Sequence, residues 1–116
     1  MNYHGIIIDK SLNDSSIIDS LNILGKKESG NWILFKIEIS SEEKETKIKE
    51  LQEQLKEKYY FHIYRKDELI IIFKEKIFRV TTNKESWTEA RYYGKSLDIP
   101  EEQLDFLPCK MEDEKY

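Results

Sequence analysis

The chain has 116 residues, enough for one domain with a single core and no covalent staples. It is 36% charged and only 39% apolar, so it can fold only if charge is confined to helix faces and loops. The net charge is −4, Lys and Glu are interleaved, and the arginines are Arg65, Arg79 and Arg91; nucleic-acid binding, which needs a concentrated basic surface, is not expected.

In chain order, residues 3–9 read as a strand rich in β-branched side chains. Asn13-Asp14-Ser15-Ser16 supplies helix-capping residues ahead of Ile17, Ile18 and Leu21, which predicts about two turns of helix. Residues 22–28 and 31–39 predict a hairpin around Ser29-Gly30-Asn31. In its second arm Ile33, Phe35, Ile37 and Ile39 share the core side, opposite Trp32, Leu34, Lys36 and Glu38.

Ser40 and Glu43 form a capping box, and Ile48, Leu51 and Leu55 give the helix expected over 41–57 one narrow apolar stripe. Residues 59–65, 69–74 and 77–81 predict a three-stranded meander. A last helix starts near Thr82 or Asn83, turns Trp87, Ala90, Gly94 and Leu97 inward, and stops before Pro100.

The order strand–helix–strand–strand–helix–strand predicts an α+β fold: an antiparallel sheet with helices on one face, built on a ferredoxin-like (split βαβ) core with an added C-terminal β-hairpin and helix. Residues 1–110 form the single expected domain and 111–116 a frayed acidic tail.

The chemistry expected is sparse. Scattered glycines exclude a phosphate-cradling loop, and His4, His62 and Cys109 lack metal-ligand spacing, so no metal or cofactor is expected. Cys109 alone reads as an incidental exposed thiol. A split βαβ sheet makes the first and fourth strands antiparallel neighbours, which brings His4 near His62, Tyr64 and Arg65. Such a cluster suits a small anion or acid–base chemistry, though ordinary strand packing explains the same residues. Tyr59, Tyr60, Phe61 and Tyr64 look like a base-stacking platform, but core packing accounts for them better.

In the terminal hairpin, Ile70, Ile72 and Ile77 beside Arg79 make a face too apolar for water. Either the last helix covers it or it meets another chain. No apolar run exceeds Leu69 to Phe73, and no leader pattern opens the chain; the expectations are a cytoplasmic protein with no membrane partner.

Tyr3-His4-Gly5-Ile6-Ile7-Ile8 at the start resembles the opening of a family of small, uncharacterised bacterial and archaeal proteins. So does the close, Tyr93-Gly94-Lys95-Ser96-Leu97, Ile99-Pro100-Glu101 and Asp105-Phe106-Leu107-Pro108. The resemblance implies a prokaryotic, stand-alone, single-domain protein and carries over no functional residue. The leading expectation is a non-catalytic binding or protein-interaction module, with a homodimer as one form. The alternative is a small-molecule (anion) binding protein or modest enzyme using His4, His62, Tyr64 and Arg65.

Overall fold

Residues alternating in polarity can lie only on a sheet, and a computed structural model, which describes residues 2–115, shows how far that alternation reaches. Among these residues six strands form one antiparallel sheet: β1 (Tyr3–Ile8), β2 (Asn22–Ser29), β3 (Trp32–Ile39), β4 (Tyr60–Arg65), β5 (Glu68–Phe73) and β6 (Ile77–Thr81). Their spatial order is β2-β3-β1-β4-β5-β6. The first four have the split βαβ arrangement, with β1 between β3 and β4; β5 and β6 extend the sheet beyond β4.

Where a first crossover helix was expected, the chain forms 3₁₀ turns at Asp9–Ser11 and Ser15–Ser20. The Asp14 side chain accepts the Ser16 N–H at 3.1 Å, so the cap was legible. The regular helix was not, because Ile17 and Ile18 are β-branched and the segment is too short to propagate. Helix α1 (Lys44–Gln54) is three residues shorter at each end than its polarity pattern suggests. Its capping box is present, with the Ser40 hydroxyl donating to Glu43 and accepting the Glu43 N–H, at 3.1 and 3.2 Å. Helix α2 (Thr88–Ser96) follows a 3₁₀ turn at Lys84–Trp87 capped by Asn83, whose side chain accepts the Glu85 N–H.

The split βαβ part keeps its cover on one face. Ile48 and Leu51 of α1 and Leu55 just past its end, with Leu12 and Ile18 from the first crossover, pack on Tyr3, Ile7, Ile37, Phe61 and Ile63. The added helix, expected on that same face, lies across the other, where Trp87 and Ala90 join Leu104, Phe106 and Cys109 over Ile6, Tyr64, Leu69, Ile71 and Phe73.

Strand β5 is therefore buried on both sides. Ile70 and Ile72, expected under the last helix or at an interface, lie under α1, 3% and 0% exposed. Ile77 packs partly against the same cluster, and Arg79 reaches Glu45 of α1 at 3.3 Å. The terminal hairpin has no exposed apolar face left for a second chain. No described helix is long and apolar enough to cross a membrane.

Residues 111–115, expected as part of a frayed tail, include a turn and a buried side chain. After α2 the chain wraps back over the sheet, makes a 3₁₀ turn at Met111–Asp113, and buries the Glu114 side chain to 10% exposure. The tail was expected to stay in water because its residues are acidic, but Glu114 finds donors beneath it. Tyr116 lies outside the described residues.

Candidate functional site

Strand parity decides what can meet. On β1, His4, Ile6 and Ile8 point to the α2 face; on β4, Tyr60, His62 and Tyr64 do; on β3, Trp32, Leu34 and Lys36 do. The register pairs His4 with Tyr64 and Ile6 with His62. The His4 and Tyr64 rings meet edge to face at 6.3 Å, and His62 stacks on Tyr64 at 5.8 Å. Three of the four residues expected to cluster are together.

Arg65 is not with them. It projects to the α1 face, with its guanidinium 4.2 Å from the Tyr3 ring centroid and 2.9 Å from Glu68. A strand turns alternate side chains to opposite faces, so a residue one place from Tyr64 could not have joined it.

His4 and Tyr64 hold an anion, and it is the chain's own. Glu114 Oε2 lies 2.6 Å from His4 Nδ1 and accepts the Tyr64 hydroxyl at 2.5 Å; Lys36 Nζ stands 3.4 Å from Oε1. Burial pushes the Glu114 carboxyl upward, but the Tyr64 and His4 hydrogen bonds and the His4 and Lys36 charges outweigh it, leaving it below the usual carboxylate range.

His62 is 4% exposed, and burial drives its pKa down to about 4 against the weaker upward pull of the Pro108 carbonyl and Asp105. The ring is neutral at pH 7. Its Nε2 lies 2.9 Å from the Pro108 carbonyl oxygen, which can only accept, so the proton is on Nε2 and Nδ1 keeps its lone pair. No hydrogen-bond partner for Nδ1 is found among the described residues.

Beside His62 a cavity of about 310 Å³ opens between the sheet and the segment after α2. Its floor is Ile6 and Ile8 of β1, Trp32 and Leu34 of β3, and Tyr60 and His62 of β4. Ile99, Glu102, Gln103, Asp105 and Leu107 form the overhang, and Ser29, Lys58 and Tyr59 complete the mouth. The Tyr60 hydroxyl donates to the Gln103 carbonyl, tying the overhang to the floor.

Trp32, Ile8 and Tyr60 escaped the sequence reading as a group, although strand parity could have placed them beside His62. Nothing in the sequence pointed to Glu102, Asp105, Leu107 or Glu114. Their position depends on the path of an irregular segment, in which Asp98 and Phe106 adopt positive φ of 65° and 50°.

Two other expectations change. Cys109 is buried rather than exposed, and burial pushes its thiol pKa up, away from nucleophile chemistry. The four aromatics considered as a platform divide: Phe61 lies under α1, while Tyr60 and Tyr64 lie beneath the C-terminal wrap. Among the described residues no group of three or more His, Cys, Asp or Glu side chains is placed to hold a metal ion.

No family model, curated protein or solved structure matches this chain. The resemblance of its opening and closing segments rests on those residues alone.

Proposed function

We propose that this protein is a small-molecule-binding domain whose ligand occupies the cavity over β3, β1 and β4. The observation that carries the reading is the cavity itself: about 310 Å³, at the small end of ligand-pocket sizes, with an aliphatic and aromatic floor and a few polar groups at one side. Its floor is built on strands, which hold side chains more rigidly than loops. The anion cradle of His4, Tyr64 and Lys36 is already filled by Glu114 and contributes by fastening the wrap that roofs the cavity.

A small-fragment screen read by amide NMR tests this. Ligands are expected to shift Trp32, His62 and Leu107 together, and Trp32→Ala is expected to weaken them about tenfold. Hits that leave those three signals still would end the reading.

A second reading, self-association, has one observation behind it. Edge strand β2 carries Ile23 and Leu24, each about 40% exposed, next to an unpaired strand edge. A strict monomer in sedimentation at high concentration would remove it. A cytoplasmic, prokaryotic setting belongs to the same proposal, supported by the lone reduced thiol of Cys109 and by the resemblance of the terminal segments.

A further inference from the structure

The cavity's charged groups are unevenly divided, Glu102 and Asp105 against Lys58, while Ser29, Trp32, Tyr59 and Gln103 add neutral donors. The His62 ring has one N–H, and it faces the Pro108 carbonyl; the Tyr60 hydroxyl is given to Gln103. Lys58, at the mouth, stands 3.8 Å from Asp98 and is mostly exposed. Arg91, whose charge bears on Tyr60, directs its Nε to the Leu104 carbonyl at 3.0 Å.

Negative charge, by contrast, is in surplus. His62 Nδ1 has no partner among the described residues, at a side chain that is 4% exposed and lines the cavity. A buried acceptor without a donor is costly, and a bound group can remove that cost. Glu102 makes no ion pair among the described residues. Asp105 is exposed at the mouth and lines the same cavity as His62 and Tyr60; among the described residues it accepts the Leu107 N–H, at 3.3 Å. Trp32 and Tyr60 add aromatic rings to the lining.

The geometry points to a protonated amine carried on a small aromatic or branched apolar body as the occupant of this cavity. The inference rests on the cavity's being a ligand site. The apolar body lies over Ile6, Leu34 and Trp32, and the ammonium is shared between Asp105, Glu102 and His62 Nδ1. An anion meets two carboxylates there, and a neutral hydroxyl compound forgoes the charge.

The test uses the full chain and four probes of one shape: benzylamine, benzyltrimethylammonium, benzyl alcohol and benzoate, each titrated at pH 7 and followed by amide NMR. Benzylamine is expected to bind about tenfold tighter than benzyl alcohol or benzyltrimethylammonium, with benzoate weakest. Asp105→Asn keeps the acceptor for the Leu107 N–H and removes the charge. It is expected to bring benzylamine to within about threefold of benzyl alcohol measured on the same variant. Glu102→Gln is a second variant at an exposed position, with the same expected direction. Benzyl alcohol, benzoate or benzyltrimethylammonium binding as tightly as benzylamine, at Trp32 and His62, would overturn the amine inference and leave the cavity reading standing. No shift at Trp32 or His62 from any of the four would overturn both.

Discussion

Glu114 Oε2 lies 2.6 Å from His4 Nδ1, joining side chains 110 positions apart. The contact fastens the C-terminal wrap to the first strand, and the wrap in turn roofs the cavity. A hydrogen bond to an ionised group contributes about 1.5–3 kcal/mol net, more than its neutral counterpart. Glu114→Gln keeps an acceptor but not the charge. It is expected to cost about 1–2 kcal/mol and to speed amide exchange from Leu107 to Lys115. Unchanged exchange in that segment would show that Glu114 does not hold it.

Stability should fall in two separate steps as pH is lowered. His62 is depressed to about 4 in the fold and titrates near 6.5 when unfolded. Between those values the unfolded chain binds the extra proton, so stability rises with pH there and is lost on going down from 6.5 to 4. The loss amounts to at most about 3 kcal/mol. The second step belongs to Glu114 and Glu68. At both, burial raises the carboxyl but hydrogen bonds and nearby cations outweigh it, at Glu68 those of Arg65 and Tyr3 with the Lys44 charge. A depressed carboxylate stabilises above its unfolded value and loses that contribution as pH falls through its folded one. Denaturant titrations from pH 7 to pH 3 are expected to show the upper step vanish in His62→Gln and the lower step shrink in Glu114→Gln.

Gly5 pairs with Ile63 where β1 lies beside β4. A methyl group there would come within 2.7 Å of Ile63 Cγ2 and 2.8 Å of the His62 carbonyl oxygen, and the latter is backbone that cannot turn aside. Gly5→Ala is expected to cost about 1–3 kcal/mol by chemical denaturation and to loosen the His4–Tyr64 pairing. Gly94→Ala makes a milder contrast. The atoms it would meet are the end of the Leu104 side chain, at 2.6 Å, and the helix gains about 0.5–1 kcal/mol in propensity. A Gly5→Ala protein as stable as the parent would mean that β1 and β4 can separate freely.

Ile72 is fully buried between the sheet and α1. Ile72→Ala is expected to cost about 2–4 kcal/mol in unfolding free energy, because the rigid sheet cannot collapse into the space left behind. Its sedimentation coefficient is expected to match the parent's. A shift in oligomeric state without a loss of stability would return this face to the role of an interface.

Much of the frame was legible because it depends on local periodicity. The β2–β3 hairpin turns at Gly30, whose φ of 60° suits glycine, and the second arm keeps the polarity that puts Ile37 and Ile39 in the core. The stripe of Ile48, Leu51 and Leu55 also went to the face expected of it. Parity along β4 turns Arg65 to the face opposite Tyr64, and that much is a property of the sequence.

The sequence by itself determined the α+β class, the meander and the side of β3 that carries Ile37 and Ile39 into the core, since repeats of two and of three to four residues are properties of the chain alone. Tertiary structure decided which helix covers which face of β5, where Glu114 finds its partners, and that a cavity opens beside His62. Those outcomes join segments far apart along the chain through an irregular wrap, and they follow from which buried donors and acceptors can be paired.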